Sequence, residues 1–233
     1  MGGGVNVRKM IVEEEKKCDY HVLRHDVCYL CGEMSLMAWE GMEQKHFNSY
    51  KEGLNLELLR QYCMEHGEAR TFERGEMLEK AGEPARWIAY VMQGFFKYMV
   101  HDTSGVSKCA GFAFEGEFVA NYPYCLEGEQ ADLSIEAGMP CSVIVIEGKE
   151  LKRMYDEDVE QMSMGVQLIQ NLFKMVYDRY LDFYRYDAKE RYKKLFSRCP
   201  QIVQLLPLKD IASFLNITPT HLSTIRKEIT FGK

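Results

Sequence analysis

The segment from Leu208 to Ile229 restricts the fold of this chain more than any other part of its sequence. Its first apolar stripe, formed by Ile211, Ala212 and Leu215, lies on one face of a short predicted helix. Asn216 follows where the chain must turn sharply, and asparagine tolerates the left-handed backbone that ends a helix better than most residues do. The pattern therefore predicts a first helix that ends at this asparagine.

A second helix is predicted directly after the turn. Thr218 is a good N-cap residue and Pro219 suits the first helical position, while Leu222, Ile225 and Ile229 form a second apolar stripe. The two stripes predict a helix-turn-helix whose outward residues are small or polar, as contact with a DNA groove requires. The candidate DNA contacts are Thr218, Thr220, Ser223, Thr224, Arg226 and Lys227.

The charge distribution favours this interpretation over a generic helical hairpin in a larger core. Residues 188–233 contain nine Lys and Arg against three Asp and Glu, a net charge of +6 in a chain whose total is −6. A basic end on an acidic protein is typical of phosphate binding. We therefore expect double-stranded DNA as a partner.

Composition indicates a globular protein that buries a substantial core, since 46% of the residues are hydrophobic. No run approaches the roughly 18–20 apolar residues that span a bilayer. The N-terminus also lacks the apolar stretch of a secretion signal. We expect a cytoplasmic protein that does not enter a membrane, with most of its eight cysteines as free thiols or metal ligands.

Residues 1–45 are predicted to form a separate N-terminal extension, rich in glycine and then in charge. One interpretation is a disordered leader or a start codon assigned too early, with Met42 as the true beginning. The alternative is a zinc ion or an iron–sulfur cluster for redox or metal sensing, with a fourth cluster ligand from Cys109, Cys125 or Cys141. Its candidate ligands in the extension are Cys18, Cys28 and Cys31, joined by His21 for zinc.

Short β-rich runs alternate with glycine turns between Ala69 and Glu150. The clearest runs are Trp87–Met92, Phe95–Val100 and Cys141–Ile146, and turn signals recur every 8–15 residues. This rhythm predicts an antiparallel β-roll of the jelly-roll kind over residues 46–157. The whole chain is therefore expected to be of the α+β class.

One long helix is predicted from about residue 158 to 187, roughly 40 Å in length. Its apolar residues alternate at spacings of four and three, which is the pattern of a coiled-coil seam. Because one β-roll does not cover so long a helix, we expect a homodimer interface rather than a helix buried on its own roll. The predicted interface residues are Met162, Val166, Ile169, Phe173, Val176, Tyr180 and Phe183.

A glycine-punctuated roll, a long helix and a closing helix-turn-helix, in that order, resemble the CRP/FNR family of bacterial transcription regulators. The residues that carry the likeness are Phe72–Pro84, Val91–Lys97, Phe114–Phe118 and Pro207–Lys227, and the likeness covers about residues 50–230. The closing segment looks most like family members found in Bacteroidetes. The resemblance implies a cyclic-nucleotide-binding-like sensor at 46–157, a dimer helix at 158–187 and a DNA-binding domain at 188–233. It also implies a small-molecule effector, as yet unknown, and RNA polymerase as a further partner.

The sequence departs from the family at the cyclic-nucleotide cassette. Gly116, Glu117 and Phe118 match its start, but Ala131 and Asp132 stand where the family has an Arg-Ser pair. An arginine neutralises a cyclic phosphate, whereas a carboxylate repels it. We therefore expect a degenerate effector pocket that does not bind cyclic AMP.

The DNA-reading end also departs from the family pattern. Pro219 and Thr220 replace the Arg and Glu that often begin the recognition helix, and Thr224 replaces a frequent Arg. Bidentate reading of guanine from these positions is therefore absent, and the operator should differ from the family consensus. Only four residues follow Ile229, which leaves no room for a β-hairpin wing.

No pattern of a catalytic site is visible, and we expect no enzyme. His101 has no neighbouring histidine with which to form a cupin metal site, and the carboxylate pairs Glu115/Glu117 and Glu127/Glu129 are predicted to lie in solvated loops. The remaining alternative to a regulator is a protein-interaction module with a vestigial DNA-binding end.

Overall fold

The computed structural model describes residues 47–199 and 202–231, which belong to one compact unit. A 3-10 turn at Ser49–Lys51 and helix α1 (Glu57–His66) precede the first strand. Gly67 ends α1, and its backbone N–H donates to the carbonyl oxygen of Cys63. Gly67 thus separates α1 from the first strand, which begins at Glu68.

Within the described residues, eight strands form two four-stranded antiparallel sheets, as the glycine rhythm predicts. The strands are β1 (Glu68–Phe72), β2 (Met77–Glu79), β3 (Trp87–Gln93), β4 (Phe95–His101), β5 (Ser107–Phe114), β6 (Phe118–Ala120), β7 (Ser134–Ala137) and β8 (Cys141–Glu147). One sheet has the order β1-β8-β3-β6 and the other the order β2-β7-β4-β5. A short helix, α2 (Tyr124–Glu127), lies between β6 and β7.

Strand β8 is buried on both faces, which explains its nearly unbroken apolar sequence. Val143 and Val145 point into the core between the two sheets. Ile144 and Ile146 point the opposite way, into a cluster with residues of α1 and of the helix after the roll. Alternating side chains of β8 thus pack against the second sheet on one side and against helices on the other.

The glycine turns are required where the backbone is left-handed or crowded. Gly94, between β3 and β4, has φ of +89°, and a Cβ there would lie 2.7 Å from the Sγ of Cys141. A side chain at this position would therefore strain the backbone and clash with β8.

Two consecutive helices follow the roll. Helix α3 (Gly148–Glu157) ends just before the N-cap residue of α4 (Val159–Arg185). The Asp158 side chain accepts hydrogen bonds from the backbone N–H groups of Glu160 and Gln161. This cap fixes the start of α4 where the sequence predicts it. Within residues 47–199 and 202–231, no helix is both long and apolar enough to cross a membrane.

Four helices close the chain. They are α5 (Ala188–Arg198), α6 (Ile202–Leu205), α7 (Leu208–Phe214) and α8 (Pro219–Phe231). Asn216 has φ of +54° between α7 and α8, as predicted for the sharp turn. Ile211, Ala212 and Leu215 are buried, so the predicted first apolar stripe does face the interior.

Helix α7 also packs on the outer side of the roll. Phe95, Cys109 and Phe112 of the roll share one apolar cluster with α7. The backbone N–H of Cys109 donates to the Oγ of Ser213 at 2.8 Å. The helix-turn-helix is thus docked on the β4–β5 sheet through its first helix.

Candidate functional site

A cavity of about 770 Å³ lies between the roll and α4. Strands β4, β5 and β6 supply Tyr98, Gly111 and Ala120 on one side, and α4 supplies Leu172 and Met175 on the other. Most of the remaining lining is also apolar. A cavity of this size and character accommodates a small organic molecule.

The predicted effector residues divide into two groups. Phe118 and Asp132 line the cavity. Gly116, Glu117 and Ala131 do not, and Ala131 lies buried in the cluster beneath β3 and β8. Two of the five predicted effector residues thus lie at this cavity, and the effector site as a whole stays a prediction.

Glu117 is a buried structural residue rather than a solvated loop carboxylate. Its side chain is only 2% exposed. Its Oε2 accepts from the Nδ2 of Asn48 at 2.6 Å and from the backbone N–H of Phe114 at 3.0 Å. Burial raises the pKa of this carboxyl group, and the two hydrogen bonds oppose that shift. The Glu117 carboxylate thus serves to bind Asn48 in the interior, and the prediction that it lies in a solvated loop is wrong.

Asp132 lies at one edge of the cavity. It is exposed and accepts a hydrogen bond from the hydroxyl of Tyr124 at 2.6 Å. This edge of the cavity therefore presents a carboxylate and no cation, which disfavours an anionic phosphate here.

Arg179 of α4 is the cationic side chain of the cavity, and no sequence motif indicated it. Its Nη2 donates to the backbone oxygen of Phe47 and to the Oδ1 of Asn48, both at 3.0 Å. Through Asn48 it is connected to Glu117. Its hydrogen-bond partner Asn48 lies 131 positions away in the chain, so no local sequence pattern links the two residues.

Helix α4 exposes an apolar face that its own chain leaves largely uncovered, although Ile169, Phe173 and Val176 of this face also line the cavity. The seven predicted seam residues are all between 44% and 68% exposed. The residues that α4 buries are different ones, namely Gly165, Leu168 and Met175. The predicted seam is thus not covered by the roll of its own chain.

The helix-turn-helix presents its second helix outward. The Oγ1 of Thr218 accepts from the backbone N–H of His221 at 3.2 Å, as expected of the N-cap of α8. Leu222 and Ile225 are buried beneath the helix, whereas Thr220 and Thr224 are exposed. A polar face of α8 therefore remains available to a partner.

Two hydroxyl groups of α8 donate their protons within the helix. Ser223 Oγ donates to the carbonyl oxygen of Pro219 at 3.0 Å, and Thr224 Oγ1 donates to that of Thr220 at 3.2 Å. Thr224 can thus offer a partner its methyl group and the acceptor capacity of its hydroxyl oxygen, but not the hydroxyl proton. Such a surface is suited to contact with thymine methyl groups.

The C-terminal part of α8 differs in one respect from its prediction. Ile229 is 41% exposed, so the second apolar stripe ends at Ile225 instead of continuing. Lys227 is exposed and Arg226 is partly buried, so both basic groups lie at the surface of α8.

The metal ligands proposed from sequence divide between described and undescribed parts of the chain. Cys18, Cys28 and Cys31, with His21, lie outside the described residues. Cys109, Cys125 and Cys141 are buried free thiols, and burial raises the pKa of Cys109 and Cys125 to about 12. Within the described parts of the chain, no group of three or more His, Cys, Asp and Glu is arranged to hold a metal ion.

Comparison with known proteins identifies the roll. Residues 69–158 match the model of the cyclic nucleotide-binding domain. This stretch covers β1 to β8 and helix α3. The segment that sequence analysis described as an antiparallel roll is therefore a domain of this kind.

Solved structures extend the likeness beyond the roll. The protein is similar to FixK2 from Bradyrhizobium japonicum, with 18% identity, a TM-score of 0.61 and coverage of 71% of this chain and 86% of that one. It is also similar to CLP of Xanthomonas campestris, a c-di-GMP-responsive global regulator, with 14% identity, a TM-score of 0.58 and coverage of 76% and 93%. Such neighbours are CRP/FNR-type regulators, and the likeness establishes their fold here.

A curated relative matches a smaller part of the chain. Adenosylhomocysteinase of Plasmodium chabaudi chabaudi is 29% identical over 90 residues, which is 35% of this chain and 19% of the enzyme. The chain thus spans about a fifth of the length of the curated relatives it matches.

Proposed function

We propose that this protein is a homodimeric, DNA-binding transcription regulator of the CRP/FNR type. The observation that carries this proposal is the geometry of the C-terminal helices. Helix α7 and the inner face of α8 are buried, whereas Thr220, Thr224 and Lys227 lie exposed on a basic end of the chain. This is the arrangement in which a second helix enters the major groove of DNA.

The exposed face of α4 supports the dimer. Phe173 is 68% and Val176 58% exposed, and the same face carries the other seam residues along the helix. A second copy of α4 would cover these side chains and remove their apolar surface from water. Two C-terminal ends would then meet successive major grooves, about 34 Å apart, on a palindromic site.

The chemistry of the cavity supports an effector other than cyclic AMP. The alanine and aspartate at positions 131 and 132 supply no cation for a cyclic phosphate, and Glu117 is occupied by Asn48 and Phe114. A nucleotide would lose the ion pair that anchors its phosphate and would meet a like charge at Asp132. A neighbour of similar fold is described as responsive to c-di-GMP, which illustrates that the roll accommodates different effectors.

Selection of genomic DNA by the purified full-length protein tests the proposal. Sheared genomic fragments are captured, sequenced and searched for a shared motif with twofold symmetry. Enrichment of one palindromic motif, verified by gel shift, is the expected result. Retention of no fragment, even in dilute buffer, would instead favour a protein-interaction module with an unused C-terminal end.

A further inference from the structure

Arg179 is a cation with no carboxylate in direct contact, although Glu117 and Asp182 lie close enough to attract it electrostatically. Its Nη2 has two hydrogen-bond acceptors, the backbone oxygen of Phe47 and the amide oxygen of Asn48, and both are neutral. Across residues 47–199 and 202–231, no carboxylate oxygen lies within 4.0 Å of the guanidinium. Burial and then the charge of Arg198 lower the pKa of Arg179 to about 10, so it remains charged at neutral pH. A partly buried cation with no carboxylate in contact favours the binding of an anion.

The position of Arg179 connects two cavities. One is the 770 Å³ cavity between the roll and α4. The other, of about 550 Å³, is lined by the roll, α4, α5 and α7. Arg179, Met175 and Ala110 line both of them. These three side chains therefore form the wall that separates the first cavity from the helix-turn-helix.

Arg179 also contacts the helix-turn-helix through aromatic rings. Its Cζ lies 4.6 Å from the ring centroid of Phe47 and 5.7 Å from that of Phe214, a residue of α7. The Phe47 and Phe214 rings are themselves 5.4 Å apart. A shift of the guanidinium would therefore alter the packing of α7 on the roll.

Most polar groups of the 770 Å³ cavity are hydrogen-bonded within the protein, although the buried hydroxyl of Tyr122 has no hydrogen-bond partner among the described residues. The Tyr50 hydroxyl donates to the backbone oxygen of Phe118 and accepts from the backbone N–H of the same residue. The Tyr124 hydroxyl donates to Asp132, whose exposed carboxylate repels an anion at that edge of the cavity, so the negative group of a ligand would lie at Arg179 instead. A ligand that fits this lining has an apolar body and one charged group.

We propose that the cavity binds an amphipathic monoanion, an aryl or alkyl carboxylate or sulfonate, with its charged group on Arg179. Binding draws the guanidinium away from Asn48 and Phe214 and so changes the docking of α7. This inference rests on the proposed function, because it names the class of effector to which the regulator responds.

Two fluorescent probes that differ by one charge test the inference on the full-length protein. 1-Anilinonaphthalene-8-sulfonate has a negatively charged sulfonate group, and N-phenyl-1-naphthylamine has the same aromatic body without that group. Titrations are made with the wild type, Arg179→Gln, Arg179→Lys and the control Arg185→Gln, which removes an exposed α4 cation that lines neither cavity. Circular dichroism verifies that each variant is folded. Ala120→Phe fills the cavity and should weaken both probes.

The expected result is that the wild type binds the sulfonate about tenfold more tightly than the uncharged probe. Arg179→Gln should abolish that difference, whereas Arg179→Lys should keep most of it and Arg185→Gln all of it. Equal affinities for the two probes in the wild type, or a sulfonate affinity unchanged in Arg179→Gln, would overturn the ligand assignment. So would Ala120→Phe binding both probes as the wild type does.

Gel shifts separate this inference from the proposed function. Saturating sulfonate should change the DNA affinity of the wild type at least threefold and leave that of Arg179→Gln unaltered. A DNA affinity that does not respond to the probe would overturn the coupling to α7 while leaving the regulator assignment intact. Absence of DNA binding together with charge-dependent probe binding would reject the proposed function and retain the ligand class.

Discussion

Helices α4 and α8 bury one face each in the same way, but their outward faces differ in chemistry. On α4, Leu168 is buried while Phe173 remains 68% exposed. On α8, Leu222 is buried while Thr220 and Thr224 remain exposed. The inward stripes attach both helices to the molecule, so only the outward faces distinguish their roles. An apolar face favours another apolar surface, whereas a polar face on a basic segment favours nucleic acid.

The largest predicted effect comes from placing charge on the outward face of α4. The double variant Phe173→Asp, Val176→Asp should raise the dimer dissociation constant at least about a thousandfold, because four unpaired carboxylates would be buried in one interface. Sedimentation equilibrium measures the change. Since both side chains are exposed within one chain, the monomer should keep its circular dichroism spectrum. A variant that still sediments as a dimer would show that this face is not the interface.

Substitutions on the inward face of α4 should lower the stability of the single chain rather than weaken the dimer. In the monomeric background, Leu168→Ala should lower the free energy of unfolding by about 2–5 kcal/mol, because it removes a buried side chain and leaves a cavity. Its matched control is Val166→Ala on the outward face, which should change that free energy by about 0.5 kcal/mol or less. Urea denaturation measures both. Equal losses in the two variants would contradict the assignment of the two faces.

A smaller effect is expected where α3 and α4 approach closely. A Cβ at Gly165 would lie 2.9 Å from the Cζ of Tyr155. Gly165→Ala should therefore cost about 1 kcal/mol net, since overpacking outweighs the gain in helix propensity. Ser163→Ala, two residues earlier and exposed, should be neutral or slightly stabilising in the same thermal unfolding measurement. Stabilisation by Gly165→Ala would indicate that this contact is loose.

The smallest effects test the polar face of α8. Because the Thr224 hydroxyl is bonded within the helix, Thr224→Val keeps the outward methyl group and should leave operator affinity within about twofold. Thr224→Ser removes the methyl group and should weaken binding about three- to fourfold, the value of one buried methyl. Gel shifts on the selected operator compare the two. A greater loss in Thr224→Val would mean that the hydroxyl reads the DNA.

Local chemistry explains which parts of the structure the sequence predicted. The turn between α7 and α8 depends on Asn216 and on the N-cap Thr218, whose signals lie within a few residues. The seam of α4 is likewise a pattern along one helix. Such features follow from spacing and backbone preference alone.

Long-range contacts explain what the sequence did not reveal. Glu117 looked like a loop carboxylate, yet its hydrogen bond to Asn48 joins residues 69 positions apart. Arg179 and Asn48 are separated by 131 positions, and no local pattern links them. Glu117 therefore holds the amide of Asn48 and does not line the cavity.

The most direct test of the account is the mass of the complex with DNA, measured by light scattering as salt is raised. Two chains per operator duplex are expected. The apolar faces of two α4 helices pack against each other, and the two α8 helices then contact one site. We also expect an affinity that falls about a hundredfold or more between about 50 and 200 mM salt, as phosphate neutralisation requires. One chain per duplex, or an affinity indifferent to salt, would contradict the account.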